Sequence, residues 1–165
     1  MAALPTGTKA PDFSLPALDG GQFSLQDALR AGPVLVAFFK VSCPTCQYAF
    51  PYLERIHRAH RDGNISMVGI SQNNRADTTA FLKQYEVTFR VLVDDPNGYA
   101  VSNAYGLTNV PTLFLIAPDS RIEISSVGWV KQEVEDINRR FAAARQIAPV
   151  AIFQPGENVH ELRAG

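Results

Sequence analysis

The sequence predicts an α/β fold, a mixed β-sheet covered by helices on both faces, and three observations carry that prediction. Two apolar runs, Val34 to Phe39 (VLVAFF) and Ile65 to Ser71 (ISMVGIS), each lead into a stretch whose apolar residues recur every three or four positions. A third run, Thr112 to Ala117 (TLFLIA), is followed by the turn Pro118-Asp119-Ser120-Arg121 and an alternating segment to Val127, the pattern of a hairpin. Both cysteines stand where the first run stops and the first long helical pattern begins.

In chain order, Asp12 to Phe23 reads as two short strands around a turn at Asp19-Gly20-Gly21, with Phe13, Leu15, Leu18 and Phe23 available for burial. Ser24 is a good N-cap, Asp27 favours the helix dipole, and Gly32 ends a short helix. VLVAFF is too short for a helix and unbroken by polar residues, so it reads as a central strand buried on both faces. Cys46, Phe50, Leu53, Ile56 and Ala59 then mark a helical stripe, with Gly63 as its terminator. Pro44 costs nothing in the first turn, whereas Pro51 removes a bond to the Gln47 carbonyl and should kink the helix.

After the second strand, Asn73 or Asn74 caps a helix running to about Tyr85, with Ala76, Thr79, Phe81, Leu82 and Tyr85 partly inward. Arg90 to Asp94 is a short strand, Asp95-Pro96-Asn97-Gly98 a turn, and Ala100 to Tyr105 a short helix closed by Gly106. The last long helix, about Val130 to Gln146, carries Val134, Ile137, Phe141 and Ala144 on its apolar stripe. From Ala148 to Gly165 there is no period; Val150, Ile152 and Phe153 suit either an irregular strap or a loosely ordered end. The expected organisation is one domain over residues 1–147 and an irregular tail over 148–165.

A chain of 165 residues buries roughly 70% of its unfolded surface without cross-links. Its net charge of −1, with 15 basic and 16 acidic residues interspersed, argues against a nucleic-acid groove or an anionic membrane surface. The N-terminal stretch MAALPTGTKAPDFSLPALDGG lacks a basic region and a continuous apolar core, and no window approaches a membrane span. As written the chain is expected in the cytoplasm, or in the periplasm or outside the cell if a leader has been removed. Oligomeric state is left open.

Cys43-Pro44-Thr45-Cys46 therefore sits at a helix N-terminus, where free N–H groups and the positive end of the dipole favour a thiolate. Cys43, at the exposed edge, is the candidate nucleophile and Cys46, one turn in, its shielded resolving partner. A disulfide across so short a loop would stabilise little. A zinc site wants about four ligands, yet there is no third cysteine, and His57, His60 and His160 lie far along the helix or in the tail. Redox chemistry is favoured over two inert thiols, and no metal or cofactor is expected. Lys40, ending the strand, reads first as a solvated terminus and second as a positive charge beside the cysteines.

Four stretches, APDFSLPALDGGQFSLQD, VLVAFFKVSCPTC, the strand-helix insertion up to VLVDDPNG, and AYGLTNVPTLFLIAPDSRI, resemble the thioredoxin superfamily, and within it the TlpA/ResA and AhpC/TSA-redoxin branch. The resemblance covers roughly residues 10 to 130. It implies a thioredoxin-like fold with an N-terminal hairpin and a strand-helix insertion, a cis bond before Pro111, and a Val110 backbone edge that receives an extended substrate segment. Three positions depart from the pattern. Ala37 and Ala49 stand where such proteins carry a buried acid, and Ser42 where a tryptophan commonly precedes the first cysteine. The expected function is dithiol/disulfide exchange through Cys43 and Cys46, as a reductase of protein disulfides, with a protein or small-molecule disulfide as partner and an unidentified electron donor or acceptor. A peroxidase of the peroxiredoxin type is the alternative, but it looks for Pro-x-x-x-Thr-x-x-Cys, and Lys40 and Cys43 occupy the threonine positions. A non-enzymatic binding module is the third reading. Trp129, Phe38, Phe39 and Tyr48 could line a docking surface, though core packing suits most of them better.

Overall fold

The computed structural model describes residues 2–165. The chain opens with a hairpin, β1 (Ser14–Pro16) and β2 (Gln22–Ser24), then α1 (Leu25–Ala31) and the strand β3 (Val34–Phe39). The cysteine helix α2 (Pro44–His60) follows, then β4 (Ser66–Ser71), α3 (Arg75–Gln84), β5 (Arg90–Val93) and the short α4 (Ala100–Ala104). The second half holds β6 (Thr112–Ile116), β7 (Ile122–Val127), β8 (Trp129–Val130), α5 (Lys131–Ala144) and β9 (Leu162–Arg163). Five strands form one sheet in the order β5-β4-β3-β6-β7, with β3, β4 and β5 parallel and β6 and β7 antiparallel to their neighbours.

β3 is central because all six of its side chains are buried, and they serve opposite faces. Leu35, Ala37 and Phe39 pack with Cys46, Phe50 and Leu53 of α2 and with Val134, Ile137 and Phe141 of α5. Val34, Val36 and Phe38 pack with Leu25 and Leu29 of α1, with Tyr105, and with Phe114 of β6. The fold is thioredoxin-like, and the cysteines fall at the carboxyl end of β3, between the two faces.

Several local expectations shift by a residue or change face. Asn74, not Asn73, caps α3 by accepting from the Asp77 N–H, while the Asn73 side chain accepts from the Val41 N–H at 2.9 Å. Ala76 and Thr79 are exposed, and Thr78 is inward instead, because its hydroxyl pairs with Ser71 Oγ at 2.7 Å. On α5 the buried stripe ends at Phe141 and Ala142, leaving Ala144 exposed; Asn138 takes a buried position by bonding His60 and the Val150 carbonyl. α2 continues through Pro51 and ends at His60. Val150 is exposed, whereas Ile152 and Val159 of the tail are buried. Phe38, Phe39 and Trp129 are core residues.

Candidate active site

The abrupt change from strand to helix at Lys40-Val41-Ser42 sets the positions of both sulfurs. Cys43 is the N-cap of α2, with extended backbone, and its sulfur accepts from the Cys46 N–H at 3.0 Å. Caps of this kind satisfy one of the orphan donors of a helix start, here with sulfur in place of the usual oxygen. The turn is held by Gln47, whose side chain donates to the Val41 carbonyl at 3.0 Å, and by the Cys43 N–H on the Lys40 carbonyl at 3.3 Å.

Cys43 is half-buried and Cys46 fully buried. The helix start and the N–H aimed at Cys43 Sγ both favour negative charge there. Burial pushes the Cys46 thiol far up, and its neighbour Cys43 adds to the rise. Ala37 and Ala49, both buried, belong to the same apolar cluster as Cys46, so methyl groups stand where the pattern it resembles has a buried acid. The buried carboxylate of α2 is Glu54, two turns beyond Cys46, where it accepts from the Thr88 and Phe89 N–H groups.

The bond between Val110 and Pro111 is cis. Facing the cysteines, the Val110 carbonyl accepts from the Cys43 thiol at 3.3 Å. Thr112 Oγ1 shapes this loop by donating to the Asn109 carbonyl at 2.7 Å, and the Gly128 N–H donates to the Pro111 carbonyl at 2.7 Å. Two segments some 67 residues apart in sequence thus meet at one sulfur. Lys40 is exposed and lines a cleft of about 310 Å³ beside Val110. Thr45 points elsewhere, its hydroxyl donating to the Ala164 carbonyl at 2.6 Å. No pattern in the tail points to that contact, although the neighbouring close approaches need glycine, at Gly128 against the Arg163 carbonyl and at Gly165 against the Val110 carbonyl.

The AhpC/TSA family model matches residues 6–125. The chain belongs to the AhpC/TSA family. Among curated relatives of this AhpC/TSA chain, the thioredoxin-like protein YneN of Bacillus subtilis is 29% identical over 134 residues, covering 78% of this chain and 76% of YneN. The thiol-disulfide oxidoreductase ResA of Geobacillus thermodenitrificans is 26% identical over 141 residues, covering 82% and 79%. Among solved structures, a protein described as a thiol:disulfide interchange protein DsbE, from Chlorobium tepidum, superposes with a TM-score of 0.75 at 28% identity, covering 86% of this chain and 99% of that one. The thioredoxin domain of a thiol-disulfide oxidoreductase from Bacteroides vulgatus does so with a TM-score of 0.75 at 22% identity, over 84% and 99%.

Proposed function

We propose that this thiol-disulfide oxidoreductase acts as a reductase, with Cys43 as nucleophile and Cys46 as resolving thiol. The observation that carries the assignment is the difference between the two sulfurs. One caps a helix at the surface and accepts an N–H; the other is buried one turn in, its charged form disfavoured.

In the forward reaction the Cys43 thiolate attacks one sulfur of a disulfide RS–SR′, and R′S⁻ leaves and takes a proton. A mixed disulfide between Cys43 and RS remains. Cys46 then gives up its proton, attacks Cys43 Sγ and expels RS⁻, which is protonated in turn. Two protein thiols become one disulfide, and two electrons and two protons pass to the substrate; an external dithiol restores the protein. A thiol such as Cys46, reluctant to ionise, lends little stability to the dithiol form beyond its neutral state, which supports a reductant rather than an oxidant.

In this reading the Val110 backbone and Pro111 bound the reacting sulfur, Pro44 and Thr45 keep the turn rigid, and Lys40 lends positive charge at the rim. Protein disulfides accumulate in oxidising compartments, which favours a periplasmic or secreted location over the cytoplasm. Among the described residues, no helix is long and apolar enough to cross a membrane.

Cys43→Ser is expected to abolish disulfide turnover, and Cys46→Ser to accumulate a mixed disulfide detectable by mass. Turnover by the Cys43→Ser protein would sink the assignment.

A further inference from the structure

Only Lys40, Val41 and Ser42 join the end of β3 to Cys43, so the place of that sulfur depends on what holds this short turn. Cys46 needs no such support, being buried in the core cluster with Ala37, Phe50 and Leu53. Both backbone groups of Val41 are taken by side chains from other parts of the fold. Its carbonyl accepts from Gln47 of α2 at 3.0 Å, and its N–H donates to Asn73 Oδ1 at 2.9 Å, across 32 positions of chain.

Asn73 follows the end of β4 and is itself held on several sides. Just before it, the Gln72 N–H extends the sheet by donating to the Phe39 carbonyl at 3.2 Å. The Asn73 N–H donates to Ser71 Oγ at 2.9 Å, and the Thr78 hydroxyl lies 2.7 Å from that same oxygen and 3.5 Å from the Asn73 carbonyl. Ser71 and Thr78 are fully buried. Asn74, next along, caps α3, so the start of that helix is served without the Asn73 side chain. What the Asn73 amide secures is the turn that carries Cys43.

We infer that Asn73 is a positioning residue for the resolving step of the exchange proposed above, the reaction on which this inference rests. When Cys43 attacks a substrate disulfide, a mobile partner comes from solvent to a half-buried sulfur and adjusts its own approach. Resolution has no such freedom. Cys46 loses its proton, its sulfur must meet Cys43 Sγ in line with the bond to the departing RS⁻, and RS⁻ is then protonated. A misplacement of about 1 Å at a step of this kind costs up to about a hundredfold in rate. With Asn73 in place, Val41 is pinned between β4 and α2, and Cys43 Sγ stays 3.0 Å from the Cys46 N–H. Without the amide oxygen the turn loosens, and Cys43 spends less time within reach of Cys46.

Single-turnover oxidation of the reduced protein by excess glutathione disulfide, quenched in acid and read by mass, separates the two steps. Formation of the mixed disulfide between Cys43 and glutathione scales with the concentration of glutathione disulfide, and its resolution by Cys46 does not. Asn73→Ala should slow resolution about tenfold, the scale of one lost hydrogen bond, and leave formation within about twofold, so that the mixed disulfide accumulates. Asn73→Asp keeps an acceptor for the Val41 N–H and should recover most of the lost rate. Asn74→Ala removes the neighbouring helix cap and costs stability, yet should resolve at the unsubstituted rate. Gln47→Ala frees the Val41 carbonyl instead; it should repeat the Asn73→Ala pattern and serves if that protein does not fold. Unchanged resolution in folded Asn73→Ala, both steps slowing together, or Asn74→Ala slowing resolution as much would overturn the inference. An unsubstituted protein that glutathione disulfide does not oxidise would overturn the exchange reading, and this inference with it.

Discussion

At the scale of single residues, the two sulfurs of one motif are made unlike by three positions of helix. Cys43 meets solvent and a backbone donor, and Cys46 meets Ala37, Ala49 and Phe50. Iodoacetamide at neutral pH is therefore expected to label Cys43 in the reduced protein and to spare Cys46 until denaturant is added; equal labelling would contradict the burial. Glu54 has the opposite situation. Its burial would raise the carboxyl, but hydrogen bonds from Thr88 and Arg58 outweigh that and hold it below the usual carboxylate range. Glu54→Gln should cost about 1–3 kcal/mol in urea unfolding, as for a buried charged acceptor, with disulfide exchange unaffected. Lys40→Gln should slow exchange with glutathione disulfide about threefold at low salt and leave less salt dependence, because an exposed rim charge acts mainly on approach. The cysteines and the downstream Val-Pro were visible in the sequence because local spacing carries them. Glu54 was not, since its partners lie 34 and 35 residues away and nothing about a glutamate in a helix announces a buried loop opposite.

At the scale of elements, α2 and α5 are tied at their far ends through His60. Arg145 approaches its Nδ1 at 3.1 Å, so Nδ1 accepts and the Nε2–H donates to Asn138 Oδ1 at 2.7 Å, the neutral ring fitting both. Burial, and next to it the positive Arg145, hold the His60 pKa below its ordinary 6.5. The unfolded chain therefore binds the proton first. The stabilisation is complete above pH 6.5 and is lost as pH falls through the lower folded value, with a slope up to about 1.4 kcal/mol per pH unit for one proton. His57, also lowered by burial, adds to the same window, so the decisive comparison is the urea-unfolding pH profile of His60→Gln against the unsubstituted protein, which should be steeper. The strap responds in another range. Hydrogen bonds from Arg55 hold Glu157 at about 2, below its ordinary 4.5, so this anchor is intact above pH 4.5 and released only as pH falls towards 2. Trp129, the single tryptophan, bonds the strap and should report the release as a red-shifted emission absent at that pH range in Glu157→Gln. Long apolar runs and caps made the strands and helices legible, whereas β8 and β9, two residues each, exist only because they pair across some 32 positions of chain. A segment so short has no period to detect.

At the scale of the whole molecule, the central sheet separates two apolar layers, and the turn that carries the cysteines emerges at the end of its most buried strand. The unbroken apolar run of β3 and the terminal hairpin were enough to anticipate that plan, down to the mixed strand directions. The walls around Cys43 were not, because they are assembled from α2, the Val110 loop and the final residues, which sequence proximity does not relate. With the Ala37 and Ala49 methyl groups in the cluster around Cys46 and its ionised form disfavoured, the Cys43/Cys46 pair should equilibrate in glutathione or dithiothreitol buffers as a reductant, at or below about −250 mV. A value above about −150 mV would reverse the assigned direction of electron flow.

The position of Gly165 against the Val110 carbonyl also bears on how the protein is handled. Any affinity tag or fused partner appended after that residue begins a few ångströms from the carbonyl that receives the Cys43 thiol. Such an addition would crowd Cys43 Sγ or lever the strap away, and kinetics measured on it would describe the appendage as much as the enzyme.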